Sequence, residues 1–154
     1  MVEEGKKAPD FNLPAAGGDK IKLSALKGAP VVVYFYPKDN TPGCTKEAIA
    51  FTELLSEFEK ANTTIIGISP DSIATHDKFI AKHSLAVRLA ADEERKTAEN
   101  YGVWVEKSMY GKKYMGVERS TFLVDASGKI AHIWRKVRVP GHAQAVLDVV
   151  RELD

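Results

Sequence analysis

The sequence predicts an α/β fold in which helices flank a central mixed β-sheet, and three stretches carry that prediction. Val31-Val32-Val33-Tyr34-Phe35-Tyr36 is β-branched and aromatic without alternation, the pattern of a strand buried on both faces. Phe51, Leu54, Leu55 and Phe58 recur at i, i+3, i+4 and i+7, which defines one apolar stripe on a helix. Thr121–Val124 and Ile130–Trp134 flank Asp125-Ala126-Ser127-Gly128-Lys129 and read as a hairpin.

The remaining elements follow in order. Pro9, Pro14, Gly17, Gly18 and Gly28 punctuate the start of the chain, leaving short extended pieces around Phe11–Leu13 and Lys20–Leu23, an N-terminal β-hairpin. After the strand to Tyr36, Pro37 opens a loop that reaches Cys44, and a helix continues to about Lys60. Thr63–Ser69 is a second strand, stopped by Pro70. Asp71-Ser72 caps a helix to about Lys82, Ala86–Leu89 is a short strand, and a helix runs from near Asp92 to Tyr101. The last helix starts near Gly141 and turns Val146, Leu147 and Val150 inward. Parallel strands with helical crossovers, then an antiparallel hairpin and a covering helix, describe a mixed-sheet architecture of which the thioredoxin fold is one case.

Composition narrows the function. The 154 residues suit a single domain spanning 1–154, and 44% hydrophobic content supplies a core. A formal net charge of +1 gives no long-range attraction to nucleic acid or anionic membrane. Ala29–Tyr36 is the most apolar run and falls well short of the about 20 residues a bilayer span needs. The charged N-terminus lacks the apolar stretch of a secretory signal, so a cytoplasmic protein is expected. The single cysteine, Cys44, excludes an internal disulfide. His76, His83, His132 and His142 form no ligand-spaced cluster with it, so no structural metal is expected. A lone cysteine is either a small buried hydrophobe or a nucleophile.

The neighbours of Cys44 favour the nucleophile. The reactive species is the thiolate, and a free thiol titrating near about 8.5 is mostly protonated at neutral pH. Cys44 follows Thr41-Pro42-Gly43, a turn signal at the head of a helix, where unpaired backbone N–H groups and the positive dipole end favour an anion. It also lies beyond the carboxyl end of Val31–Tyr36, where open α/β sheets collect their ligands. If the strand from Ser120 runs antiparallel to that one, its amino end brings Arg119 to the same sheet edge. There a guanidinium can stabilise the thiolate and the charge developing on a leaving oxygen, or can simply end a strand at the surface. Thr41 either caps the helix or turns its hydroxyl toward the sulfur or a bound oxygen. Pro37 terminates the strand and can also shield the sulfur from water.

Other features read more plainly. Met109, Tyr110, Tyr114 and Met115 are expected to pack a loop onto the body, although residues 106–117 can also shape substrate access. His76 and His83 are expected to be a solvated or partly packed pair on one helix face. Arg135, Lys136 and Arg138 are too few for a nucleic-acid site. Trp104 and Trp134 are core or core-edge anchors.

Pro37-Lys38-Asp39-Asn40-Thr41-Pro42-Gly43-Cys44 fits the pattern Pro-x-x-x-Thr-x-x-Cys and resembles the peroxiredoxins. Tyr34 to Asp39 with Cys44-Thr45-Lys46-Glu47-Ala48 is similar to the bacterioferritin-comigratory protein (peroxiredoxin Q) subfamily. So are Gly67-Ile68-Ser69-Pro70-Asp71, Trp104 with Glu106-Lys107, Tyr110-Gly111-Lys112, Arg119-Ser120-Thr121-Phe122, Val137 and Gly141-His142. The resemblance covers nearly the whole chain. It implies a thioredoxin-like fold of peroxiredoxin type and reduction of hydrogen peroxide and organic hydroperoxides without metal, haem or flavin. It makes Cys44 the peroxidatic cysteine, Thr41 and Arg119 its activating partners and Pro37 its shield. The substrate lies among Pro37, Thr41, Gly43, Cys44 and Arg119, and Glu47 has a positional role only.

The chain departs from that subfamily at Ile49, where many members carry a resolving cysteine. In an unbroken helix, residues five apart are about 7.5 Å apart along the axis, so members with both cysteines must unwind the helix to join them. Here the expected Cys44 sulfenic acid needs an external thiol, whether thioredoxin, glutaredoxin or a small thiol. This is a one-Cys variant, and the subfamily suggests a monomer, with a weak dimer open. Two rival readings remain: a monothiol thioredoxin-fold disulfide reductase, and a non-enzymatic thioredoxin-fold binding module or chaperone with a buried, slowly alkylated cysteine.

Overall fold

Five strands form the central sheet of the computed structural model, which describes residues 2–153. Val31–Phe35 (β3) lies in the middle, pairing in parallel with Thr64–Ser69 (β4) and antiparallel with Ser120–Val124 (β8). Arg88–Ala91 (β5) extends the sheet beyond β4, and Ile130–Trp134 (β9) extends it beyond β8. All five residues of β3 are buried, as its lack of alternation requires. Val31, Val33 and Phe35 join one core cluster with Ile66, Tyr101 and Phe122. Val32 and Tyr34 face the opposite cluster, with Cys44, Phe51, Phe58 and Val146.

That second face is covered by Pro42–Glu53 (α1), Leu55–Lys60 (α2), Ile73–His83 (α3) and His142–Arg151 (α5). The expected helix to Lys60 is therefore two helices. It starts at Pro42 and breaks at Leu54, whose φ of −96° and ψ of 3° end α1. Phe51 and Phe58 are fully buried on either side of the break. Ser72 caps α3 as expected, accepting from the Thr75 N–H at 3.2 Å.

Asn12–Pro14 (β1) and Lys20–Lys22 (β2) form the N-terminal hairpin, which lies along β5 through a bridge between Ala15 and Ala90. β5 starts two residues later than expected. Ser84 ends α3 in the left-handed region (φ 52°), and pairing begins only where Arg88 faces Ile66. The next helix is also shorter, Lys96–Asn100 (α4). Arg95 is left-handed (φ 63°), and the Asp92 carboxylate caps the helix from outside, accepting from the Thr97 and Ala98 N–H groups.

The largest correction concerns residues expected to be a packed loop. Trp104–Met109 (β6) and Lys112–Val117 (β7) form a separate antiparallel hairpin, and its tip projects into solvent. Met109, Tyr110, Tyr114 and Met115 are 56%, 98%, 44% and 49% exposed. Trp104 is a core-edge anchor, its ring 5.0 Å from the Arg95 guanidinium carbon. Among the described residues, no helix is long and apolar enough to cross a membrane.

Candidate active site

Cys44 occupies the third residue of α1, after Pro42 and Gly43, with Thr41 at the N-cap. The first backbone bond of the helix runs from the Thr45 N–H to the Thr41 carbonyl at 2.9 Å. The N–H groups of the first turn therefore lack intrahelical acceptors and give the sulfur a positive setting. Cys44 is only 2% exposed.

The antiparallel pairing of β3 with β8 sets Phe35 opposite Ser120, so Arg119 stands at the carboxyl edge of β3. Its guanidinium is shared. Nη2 donates to Cys44 Sγ at 3.3 Å, and Nη1 donates to Glu47 Oε1 at 2.7 Å. Burial opposes the Arg119 charge, but the Glu47 carboxylate and the Cys44 sulfur outweigh it and hold the guanidinium more firmly protonated than usual. Gly43 makes the approach possible: a Cβ there would lie 3.1 Å from Nη2.

Glu47 is buried three residues beyond Cys44 along α1, and burial lifts its carboxyl to about 7 against the opposing pull of Arg119. Glu47 Oε2 and the Tyr34 hydroxyl are buried without a hydrogen-bond partner among the described residues. Burial, and then the Glu47 charge, push the Tyr34 phenol far above its ordinary range, so it stays neutral. His142 accepts or donates at 2.8 Å to the Thr121 hydroxyl, and burial with the Arg119 charge lowers it to about 4. It is neutral at neutral pH. Lys107, on β6, is also drawn into this field: partial burial and then Arg119 lower its ammonium below the usual range.

Thr41 caps by position only. Its hydroxyl makes no capping bond and donates to the Lys38 carbonyl at 2.8 Å, which leaves its oxygen lone pairs free. Pro37 is half-buried and follows Tyr36, whose N–H makes the last contact to β4 at Ile68. Cys44 and Glu47 are thus brought together on Arg119, with Gly43 beside the guanidinium.

His76 also departs from the expected solvated or partly packed pair with His83. It is completely buried, with Nδ1 2.6 Å from Asp39 Oδ2 and Nε2 3.0 Å from the Ala90 carbonyl. The Tyr36 hydroxyl donates to Asp39 Oδ1 at 2.6 Å. The Asp39 N–H donates to Asp71 Oδ2 at 2.8 Å, and Asp71 also accepts from Ser69 at 2.7 Å. Asp39, Asp71 and His76 bring ligand-type atoms within 4.8 Å, but those atoms already hydrogen-bond one another and their neighbours. The seven-residue spacing of His76 and His83 suggests a surface pair and hides this buried group. The useful signal was the spacing of His76 to Phe79 and Ile80, which marks an inward face.

Residues 4–133 match the AhpC/TSA family. The chain is 47% identical to the putative peroxiredoxin bcp of Coxiella burnetii over 146 residues, 95% of this chain and 97% of that one. It is 47% identical to Peroxiredoxin Bcp of Bacillus subtilis over 152 residues, 99% of this chain and 97% of that one. Its structure is similar to that of the bacterioferritin comigratory protein of Xanthomonas campestris, studied for alkyl peroxide reduction. The TM-score is 0.91 at 43% identity, covering 97% of this chain and 98% of that one. A Xylella fastidiosa PrxQ mutant gives a TM-score of 0.94 at 37% identity, covering 99% and 97%.

Proposed function

The chain belongs to the AhpC/TSA family and is a peroxiredoxin, a thiol-dependent peroxidase, and on that premise we propose that Cys44 is its peroxidatic nucleophile. The observation that carries this reading is the 3.3 Å contact from Arg119 Nη2 to Cys44 Sγ at the head of α1. An inert buried cysteine has no use for a guanidinium held on it by a buried carboxylate.

The Cys44 thiolate attacks one oxygen of the hydroperoxide in line with the O–O bond. A sulfur–oxygen bond forms, the O–O bond breaks, and its electron pair leaves on the second oxygen. That oxygen takes up a proton and departs as water or an alcohol. The sulfur is oxidised by two electrons to a sulfenic acid. Arg119 stabilises the thiolate and then the oxygen on which charge develops. Thr41, its proton committed to Lys38, offers a lone pair to the O–H of the bound peroxide. Gly43 leaves space for the guanidinium, Pro37 limits water, and Glu47 aims Arg119.

Cys44 is the only cysteine, and position 49 is Ile, so the sulfenic acid is resolved from outside. A thiol on thioredoxin, glutaredoxin or a small molecule attacks the sulfur, releasing water and leaving a mixed disulfide that a second thiol reduces. An unpaired cysteine used this way suits a reducing compartment, and we assign the cytoplasm and a monomer. Val105, Lys107, Met109 and Tyr114 share one face of the β6–β7 hairpin, the face on which Lys107 meets the field of the site. This face suits the tail of a bulky organic hydroperoxide.

Stopped-flow reaction of the reduced protein with hydrogen peroxide and with a bulky hydroperoxide tests the reading, with Cys44→Ser as control. Wild type is expected to consume both and to carry a trappable sulfenic acid with no intramolecular disulfide. Peroxide consumption that leaves Cys44 unmodified, or that persists in Cys44→Ser, would overturn it.

A further inference from the structure

We propose that His76 is a positioning residue for peroxide reduction, acting through Asp39 to fix the segment 37–41 that presents Thr41 and the head of α1 to the substrate. The inference rests on the peroxidatic role of Cys44 and adds a second support to the site besides the Arg119–Glu47 pair.

The segment that enters α1 is held through one buried carboxylate. Asp39 and His76 side chains are both fully buried. Asp39 takes the Tyr36 hydroxyl on one oxygen and His76 on the other, at 2.6 Å each. Its own N–H is fixed by Asp71. Asn40 follows in the left-handed region (φ 61°), and its side chain meets His83 Nε2 at 3.0 Å. Then comes Thr41, tied to the Lys38 carbonyl. Every residue from 38 to 41 therefore takes part in a specific polar contact, and α3 supplies two of the partners, His76 and His83.

His76 is held as firmly as the carboxylate it grips. A carbonyl oxygen only accepts, so the contact to Ala90 requires a hydrogen on Nε2. The ring is thereby fixed to β5, and Nδ1 stands 2.6 Å from Asp39 Oδ2, a separation that requires a hydrogen between the two atoms. The chain of contacts runs from the sheet through His76 and Asp39 to the loop. Nothing in the reaction uses this proton, and the pair lies on the side of the loop away from solvent. Its geometric consequence falls on Thr41 and Cys44, two and five residues further on. Displacement of a reacting group by about 1 Å can cost about 100-fold in rate.

The test compares reduced wild type with His76→Gln, Asp39→Asn and the double variant. Three quantities are measured: the single-turnover rate with hydrogen peroxide, the rate of Cys44 alkylation by iodoacetamide, and thermal unfolding. Each single variant is expected to slow the peroxide step by about tenfold or more while staying folded at the assay temperature. Alkylation should change by less than about threefold, because the thiolate persists while its aim toward peroxide is lost. The double variant should be no slower than the slower single, since His76 acts through Asp39.

An unchanged peroxide rate in folded His76→Gln overturns the proposal, as does a double variant slowed by the product of the two single effects. Equal loss of peroxide and alkylation rates also overturns it, by locating the damage in the nucleophile. If the variants do not fold, wild type carries the test: the NMR resonance of the proton between His76 and Asp39 should shift when Cys44 is oxidised, and an unmoved signal refutes the coupling. A wild type inert to peroxide takes down the peroxidatic reading and this one together, whereas reactive wild type with unaffected variants refutes this one alone.

Discussion

Gly43 lies beside the Arg119 guanidinium, and a Cβ at residue 43 would sit 3.1 Å from Nη2 of the arginine. The same Nη2 donates to Cys44 Sγ. A glycine in the first turn of the helix therefore leaves room for the guanidinium. Its φ is not left-handed, so alanine fits the backbone.

Gly43→Ala should separate stability from activity. Alanine favours helix by up to about 1 kcal/mol, so melting temperature should hold or rise. The guanidinium must shift off the sulfur by tenths of an ångström, and the peroxide rate constant should fall about tenfold. Equal rates in the two proteins would show that the contact is slack.

Arg119→Lys tests the shared fork. One ammonium cannot reproduce the two N–H groups that separately reach Glu47 and Cys44. Losing such a donor typically costs about 100- to 1,000-fold in the chemical step, and lysine should recover little of it. Stopped-flow rates for Arg119→Lys and Arg119→Ala within a few-fold of each other would bear this out.

Glu47 makes a prediction about pH. Burial holds its carboxyl at about 7 in the folded protein, against a reference of 4.5. Between those values the folded state keeps a proton that the unfolded chain has released. This contribution to stability is full below about 4.5 and is lost as pH rises to about 7, by about 3 kcal/mol in all. Glu47→Gln should remove that slope from denaturant titrations run across the interval. A slope unchanged in the variant would mean that Glu47 is not its source. The reinforcement of Arg119 by Glu47 operates only while the carboxyl is ionised, so Glu47→Gln should also slow the peroxide step most on the alkaline side.

Ile49→Cys should convert the cycle. Ile49 packs at the margin of the second core cluster, five residues along α1 from the sulfur. Peroxide treatment of this variant should give an intramolecular disulfide, visible by mass spectrometry. It should be accompanied by loss of helix signal, because α1 must unwind to bring the two sulfurs together. A disulfide formed with α1 intact would contradict the helical geometry.

Much of this architecture was legible because the signals were strong and local. Val31–Phe35 has no polar alternation, and Cys44, Gly43 and Arg119 were placed by a turn signal and by strand direction. The β6–β7 hairpin was not legible, for a physical reason. Its two-residue turn uses Tyr110 and Gly111 at φ 51° and 78°, whereas hairpin turns of this kind ordinarily advertise themselves with Asn-Gly or Asp-Gly. Its strands also interleave Glu106, Lys107, Ser108, Lys112 and Lys113 with the apolar residues on both faces, and so lack the clean alternation that marks a half-buried strand. The α1–α2 break is hidden in the sequence because Leu54 continues the apolar stripe, while the backbone at that residue departs from the helix. The role of His76 is not legible in the sequence, because a histidine on an apolar face declares itself only when its partner is known, and Asp39 lies 37 residues away.

The alternation of β3 between two core clusters divides the molecule's labour. Tyr34 shares its side of the sheet with Cys44, while Val33 and Phe35 face Tyr101, Val103 and Phe122 on the other. The sheet thus insulates a mechanical foundation from a chemical workshop. Substitutions deep in the foundation, away from Phe35 and Ala90, should retune thermal tolerance more than the peroxide rate, whereas those across the sheet alter both together. A protein that must survive its own oxidant can be hardened from behind.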